Sequence, residues 1–138
     1  MPDIDFTSCI AIDEKHAIEM LTVLSTWVVN RPEMWLHPMA ILYDPAMNPA
    51  TVELVNSRLH HPDVKFFPVQ NQEPDQRTKM LTALALEAPF CVETPWLFKL
   101  DTDCLATVWD RGWCDANLVK GSPAFVSSPW SYPTPADA

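Results

Sequence analysis

Glycine is almost absent from this chain. Two glycines occur in 138 residues, Gly112 and Gly121, and both lie late in the sequence. A Gly-x-Gly-x-x-Gly fingerprint and a P-loop each need glycines where the backbone approaches a phosphate closely, so neither motif exists here. A diphosphate, if the protein binds one, must be held by a metal ion, a well-placed arginine or a helix N-terminus.

Basic residues are also few. The chain has 9 Lys and Arg against 18 Asp and Glu, a net charge of -9. This balance argues against a nucleic-acid partner and against anionic membranes. No apolar run approaches the roughly 20 residues of a membrane span, and segment 1–13 lacks the basic and apolar regions of a signal peptide. We therefore expect a cytoplasmic protein with no nucleic-acid partner and no membrane span.

Cysteine and histidine spacing predicts no zinc site. The sequence contains neither a Cys-x-x-Cys pair nor a zinc-type arrangement, so we expect free thiols. The histidines have no partner spacing that indicates a metal or catalytic role, and we expect none. The residues concerned are Cys9, Cys91, Cys104 and Cys114, and His16, His60 and His61.

What the chain does have is a regular alternation of strands and helices. Its length fits one domain with a real core, and 48% of its residues are hydrophobic. Strands alternating with helices predict a Rossmann-like α/β domain, βαβαβαβ, with a mostly parallel sheet and helices on both faces. The predicted strands are 6–12, 39–43, 64–69, 96–100 and 123–128. The predicted helices are 14–30, 49–59 and 75–88, a short apolar run covers 105–107, an irregular or helical piece covers 109–118, and a Pro-rich tail covers 129–138.

Two carboxylates stand where the fourth predicted strand ends. The apolar run 96–100 leads directly into Asp101, Thr102 and Asp103. In an extended segment, residues i and i+2 point the same way, so both carboxylates could converge on a hard cation such as Mg²⁺ or Mn²⁺. The alternative is a solvated turn, because Asp favours turns.

The position of this acid pair favours the metal interpretation. Asp13 and Asp44 follow the first and second predicted strands as Asp101 follows the fourth. Ligands of parallel α/β sheets bind beyond the carboxyl ends of the strands. Three carboxylates at one edge therefore indicate a binding site.

Arg77 is the basic candidate at this edge. It lies in the first turn of the third predicted helix, in line with Leu81 and Leu84, so we expect it to face the sheet. Its anionic partner would be the acid pair or a phosphate, and both remain open. Lys79 lies on roughly the opposite side of the helix, which predicts a solvated lysine.

These residues resemble a known family. The element order, the sequence RTKM at 77–80 opening a helix, and FKLDTD at 98–103 are similar to the nucleotide-binding half of GT-A glycosyltransferases. The resemblance implies that Asp101 and Asp103 bind a divalent metal, Mn²⁺ or Mg²⁺. It also implies donor contacts from Asp101, Thr102, Asp44 near the base, Asp13 on the same rim, and Arg77 and Lys79 at the diphosphate.

The resemblance implies an enzyme that transfers a sugar from a nucleotide-diphospho-sugar donor to an acceptor hydroxyl. Members of the family are usually much longer, and their second half supplies acceptor contacts and, in inverting members, the base. We therefore expect residues 1–138 to form a single donor-binding domain, truncated or minimal. The sugar, base, acceptor, catalytic base and oligomeric state stay open.

Two other interpretations are kept. Phosphatases of the haloacid dehalogenase type also use two aspartates two residues apart after a strand. Their motif normally opens the chain and continues into Gly-Thr, whereas here it continues into Cys104 and Leu105. The other alternative is a non-catalytic interaction module whose acidic edge is solvated or binds a partner protein.

Overall fold

The core of the molecule is a four-stranded sheet with helices on both sides. The computed structural model describes residues 5–105, with the side chains of residues 33 and 34 excepted. The strands are β1 (Phe6–Ile12), β2 (Met39–Tyr43), β3 (Val64–Pro68) and β4 (Trp96–Leu100), and the α-helices are α1 (Ala17–Asn30), α2 (Pro32–Trp35), α3 (Pro49–Leu59) and α4 (Gln76–Thr82). A π-helical segment (Ala83–Glu87) and a 3₁₀ segment (Ala88–Cys91) continue α4 towards β4.

All pairings in this sheet are parallel, in the order β3-β2-β1-β4. In register, Ile10 of β1 lies opposite Ile41 of β2 on one side and Leu100 of β4 on the other. The chain therefore winds from β1 towards β3 and then returns to the far side of β1. The strand order reverses between β1 and β4, and such a switch point is where ligands of this fold class bind. The predicted parallel α/β fold is confirmed.

The two inner strands, β1 and β2, are buried on both faces, as parallel strands covered by helices must be. On one face, Ile10, Ile12 and Ile41 pack with the apolar sides of α1 and α3. On the other, Cys9 and Leu42 pack with the segment that follows α4. Since β1 is central and almost wholly buried, it fixes where the loops at its carboxyl end can lie.

Helix α1 begins three residues later than position 14, the predicted start. Asp13 holds the intervening turn, because its carbonyl accepts hydrogen bonds from the amides of His16 and Ala17. The buried residues of α1 include Val23, which is 7% exposed, whereas Val28 is 44% exposed. The short helix α2 was not predicted.

Helix α3 follows its sequence signals. The side chain of Asn48 accepts a hydrogen bond from the amide of Ala50 at 2.9 Å, and Pro49 stands at the first helical position. Val55 and Leu59 are buried. The helix ends at His60, whose φ of 51° places it in the left-handed region.

The third predicted helix corresponds to α4, and the side of it predicted to be buried is wrong. Asp75 caps α4 by accepting hydrogen bonds from the amide and hydroxyl of Thr78 at 2.9 and 2.8 Å. The hydrogen bond from the Thr78 amide, and to a smaller extent the one from the Thr78 hydroxyl, lower the pKa of Asp75. Leu81, expected inside, is 50% exposed, whereas Ala83 is fully buried. The π-helical segment that follows shifts the phase further, because it holds more residues per turn.

No helix in residues 5–105 is long and apolar enough to cross a bilayer. The predicted pieces at 109–118 and 123–128, the run 105–107 beyond its first residue, and the tail 129–138 lie outside the described residues.

Replacement of Ile10 by alanine should destabilise the fold strongly. Ile10 is fully buried in the central strand, and a deletion of this kind costs about 2–5 kcal/mol. Ile18→Ala on α1 is the matched control, since Ile18 is 53% exposed and surface changes usually stay within about 0.5 kcal/mol. Urea unfolding of both variants checks this, and equal losses would contradict the described core.

Candidate functional site at the carboxyl edge of the sheet

Asp13, Asp44 and Asp101 follow β1, β2 and β4 directly. Because these strands are parallel neighbours, the three carboxylates belong to one edge of the sheet. The edge has two parts: a hydrogen-bonded rim at β1 and β2, and an acidic turn after β4.

Asp44 is the most deeply placed group of the rim. Its side chain is 8% exposed, and its Oδ1 pairs with the ammonium of Lys79 at 3.0 Å. The same oxygen accepts the amide of Ala46 at 3.0 Å, and Oδ2 accepts Nε2–H of Gln76 at 2.7 Å. Burial alone would raise the pKa of Asp44, but the hydrogen bonds from Ala46, Gln76 and Lys79 and the lysine charge hold it below its ordinary 3.8. Asp44 is therefore a fixed anion.

Asp13 forms the second anchor of the rim. Its Oδ1 accepts hydrogen bonds from the backbone amide of His16 at 3.0 Å and from Nδ1–H of the His16 ring at 2.6 Å. Its Oδ2 lies 3.4 Å from Nε2 of Gln76. Gln76 thus spans the ends of β1 and β2, since one carboxamide nitrogen donates to both carboxylates.

Arg77 was expected to face the sheet and Lys79 to face solvent, and the structure shows the opposite. Arg77 is exposed and forms no ion pair within the described part of the chain, whereas the side chain of Lys79 is 19% exposed and pairs with Asp44. Lys79 lies four residues before the buried Ala83, so both share the face that α4 turns towards the sheet. The prediction failed because it aligned the helix on Leu81.

The acid pair after β4 lies in a turn and not in an extended segment. The amide of Cys104 donates to the carbonyl of Asp101 at 3.3 Å, which closes a turn over residues 101–104. The backbone is therefore that of the turn kept as the alternative, and the turn still brings the groups together: one ligand atom each from Asp101, Asp103 and Cys104 lie within 4.8 Å of one another. Two carboxylates at this separation have the chemistry to hold a divalent cation.

The acidic turn is tied to the rest of the molecule on two sides. Lys99 pairs with Oδ1 of Asp101 at 2.8 Å, and both side chains are about half exposed, 47% and 53%. The indole N–H of Trp27 donates to the carbonyl of Cys104 at 2.7 Å. The backbone is thus anchored to α1, while the carboxylates remain at the surface.

The loop after β3 is fixed by a residue that sequence analysis passed over. Glu87, in the π-helical segment, accepts hydrogen bonds from the amide of Gln70 at 2.5 Å and from Nδ2–H of Asn71 at 2.7 Å. Asn71 also donates to the carbonyl of Lys79 at 3.1 Å. This loop therefore positions the helix that carries Lys79.

Gln76 and His16 were also missed. Gln76 carries no charge and fits no motif, so the sequence held no signal for it. For His16 a signal existed: an Asp and a His three residues apart at a strand end can pair across a turn, as Asp13 and His16 do. Thr102, a predicted donor contact, is half-buried in the acidic turn.

The fold is shared with known glycosyltransferases. Two structures of the galactosyltransferase LgtC, one an active-site mutant and one with donor and acceptor sugar analogues, match with a TM-score of 0.56 at 13% identity, over 70% of this chain and 37% of theirs. The mannosyltransferase Ktr4p from S. cerevisiae in complex with GDP matches with a TM-score of 0.54 at 11% identity, over 83% of this chain and 38% of its own.

These likenesses establish the fold. The matched structures are GT-A-type glycosyltransferases, so the resemblance noted from the sequence is confirmed at the level of architecture. The chain spans little more than a third of the length of each matched structure. No protein-family model matches the sequence, and no curated protein matches it significantly.

Replacement of Lys79 by methionine should destabilise the protein, and Arg77→Met should not. Without Lys79, the buried carboxylate of Asp44 loses its cation, and an uncompensated buried acceptor costs about 1–3 kcal/mol. Arg77→Met is matched in size and charge change and should stay within about 0.5 kcal/mol, because Arg77 is exposed. Urea unfolding measures both, and a larger loss in Arg77→Met would refute the assigned phase of α4.

The loss of unfolding free energy caused by Lys79→Met should depend on pH. The folded-state pKa of Asp44 is depressed, so its ionisation contributes stability above the ordinary value of 3.8, and this contribution is lost as pH falls through the lowered pKa. The difference in unfolding free energy between wild type and Lys79→Met should be full at neutral pH and shrink below pH 3.8. A series of unfolding curves in acid checks this, and a difference that stays constant would contradict it.

Proposed function

We propose that this chain binds the nucleotide-diphospho-sugar donor of a glycosyltransferase, with a divalent cation, Mn²⁺ or Mg²⁺, held by Asp101 and Asp103. One observation carries the proposal: the two acids converge at the end of β4, beside the switch point of a fold shared with a galactosyltransferase and a mannosyltransferase.

The donor set fits such a cation. Oxygen ligands suit Mn²⁺ and Mg²⁺, and the carboxylates of Asp101 and Asp103 lie close together at the surface. Bound there, the cation would neutralise charge on the departing diphosphate. Lys99 already pairs with one oxygen of Asp101, which supports the idea that this turn attracts positive charge.

The rim would hold the nucleoside side of the donor. Asp13 and Asp44 are rigid hydrogen-bond acceptors, and ribose hydroxyls and base N–H groups are donors. Gln76 now occupies one oxygen of each carboxylate. A nucleoside would therefore bind to the remaining lone pairs or displace the glutamine side chain.

Two basic residues would serve the diphosphate. Lys79 lies at the rim, where its ammonium is balanced by Asp44. Arg77 stands exposed between Gln76 and Lys79, which both belong to the rim network, and could fold over a bound phosphate. Thr102, between the two metal-binding acids, would place its backbone or hydroxyl against the donor.

No described residue has geometry that specifically favours the phosphatase or the interaction-module alternative.

Thermal unfolding with ligands tests the proposal. Mn²⁺ together with UDP or GDP should raise the melting temperature by several degrees, because a ligand at 100 times its Kd stabilises the native state by about 2.7 kcal/mol. Nucleotide without metal should give little shift. Asp103→Asn should abolish the shift, and Glu53→Gln is the control, since Glu53 is an exposed acid on α3.

A protein that shows no shift with any nucleoside diphosphate in the presence of metal would refute donor binding. Metal-dependent hydrolysis of a phosphomonoester that is lost in Asp101→Asn would instead favour the phosphatase interpretation.

A further inference from the structure

We infer that the side chain of Gln76 occupies the place of a nucleobase amino group, and that the rim thereby selects guanine as the base of the proposed donor. The inference rests on the proposed function and names its nucleotide. Its basis is one planar NH₂ group set between two carboxylates: Nε2 of Gln76 lies 2.7 Å from Oδ2 of Asp44 and 3.4 Å from Oδ2 of Asp13. The nitrogen of the carboxamide must lie here, and not its oxygen, because a carboxylate accepts hydrogen bonds and does not donate them.

The two carboxylates are also held by partners other than Gln76. Oδ1 of Asp13 accepts hydrogen bonds from the amide and the ring of His16. Oδ1 of Asp44 accepts one from Lys79, and the two acidic side chains are only 13% and 8% exposed. Among the described residues, the partner of each Oδ2 atom is Gln76. The space between the two Oδ2 atoms is therefore a fixed slot that accepts two N–H bonds from one planar group.

The side chain of Gln76 can leave this slot without disturbing its surroundings. The residue is exposed and is the first residue of α4. The start of this helix is held separately by Asp75, which accepts hydrogen bonds from the amide and hydroxyl of Thr78. Within residues 5–105, the side chain of Gln76 has no further hydrogen bond or ion pair. It can therefore rotate into solvent while α4 and both carboxylates keep their positions.

An amino group on a nucleobase is the chemical match for the carboxamide NH₂. It is planar, uncharged and carries two hydrogens, so it can donate one to each Oδ2 atom. The exchange is balanced, because each carboxylate keeps its number of hydrogen bonds while the carboxamide turns to water and the base leaves water. Uracil has no amino group, and its carbonyl oxygens would face two anions. The slot therefore rejects uracil.

The neighbouring ring atom separates guanine from the other bases that carry an amino group. In guanine, the amino group lies beside N1–H, which is a second donor. In adenine and cytosine, it lies beside a ring nitrogen with a lone pair, which the carboxylates would repel. Guanine thus offers donors at two adjacent positions to side chains whose open positions, at Asp13 and Asp44, are acceptors.

Matched nucleotides test the slot. Binding of GDP, inosine diphosphate, CDP and UDP to the full chain is measured by isothermal titration calorimetry in the presence of Mn²⁺. Inosine diphosphate differs from GDP only in lacking the amino group. GDP should bind roughly 10-fold or more tightly than each of the others, because paired hydrogen bonds to a base edge discriminate by about that factor.

Three variants test the roles of the side chains. Asp13→Asn keeps one oxygen for His16 but replaces an acceptor of the slot with an amide, so GDP affinity should fall roughly 10-fold and UDP affinity should not fall. Gln76→Ala removes the occupant of the slot and should keep or raise GDP affinity. Glu53→Gln is the matched control, since it makes the same change from acid to amide at an exposed position on α3 and should change neither affinity. The melting temperature of each variant without ligand shows that it is folded.

The possible results separate this inference from the proposed function. Equal affinity of the wild type for GDP and inosine diphosphate overturns the selection of guanine and leaves donor binding standing. A loss of GDP affinity in Gln76→Ala as large as that in Asp13→Asn overturns the displacement, because Gln76 would then contact the nucleotide itself. If none of the nucleotides binds in the presence of Mn²⁺, the proposed function fails, and this inference fails with it.

Discussion

The buried carboxylate of Asp44 is the constraint on which the carboxyl edge of this sheet depends. It stands at the end of an interior strand, is 8% exposed, and cannot remain charged there without partners. Lys79 and Gln76 supply them from α4, and Ala46 supplies an amide. To meet these contacts, α4 must present Gln76 and Lys79 to the sheet. The requirement for partners around the charged carboxylate of Asp44 therefore fixes how α4 is rotated about its axis. The exposure of Arg77 follows from this rotation.

A second constraint acts at the switch point. Strand β4 returns to pair with β1 after the chain has gone through β3, so the turn after β4 stands next to the loop after β1. The indole of Trp27 then holds that turn at the carbonyl of Cys104. A tryptophan that the sequence marks only as part of an apolar helix face thus positions the acidic turn. Packing of α1 and geometry of the candidate metal site are linked through one hydrogen bond.

The sequence predicted what depends on local pattern. Strand and helix periodicity gave the parallel α/β architecture, and the Asn48-Pro49 signature gave the start of α3. It also placed Asp13, Asp44 and Asp101 at one edge, because strand ends in a parallel sheet must share an edge. Asp13, which follows the first predicted strand, organises the turn before α1.

The features that the sequence did not predict depend on contacts between distant parts of the chain. Helix α4 is short and has no fully buried residue, so its apolar pattern could not fix its phase, and a π-helical segment follows it. The pairing of Lys79 with Asp44 links residues 35 positions apart, and no local rule could find it. The choice between a turn and an extended segment at 101–104 stayed open for the same reason, since the anchor of the turn at Trp27 lies 77 residues away. Long-range polar contacts decided these features.

The charge of this edge bears on the order in which the proposed ligands would bind. Asp44 and Asp101 each have a lysine partner, whereas Asp13 and Asp103 have no lysine or arginine partner among the described residues. The edge therefore carries excess negative charge, in a protein whose net charge is already -9. A diphosphate is itself anionic and would be repelled by the bare edge. If the proposed cation bound first at the acidic turn, it would reverse this repulsion, and binding of the proposed nucleotide would then be coupled to binding of the metal.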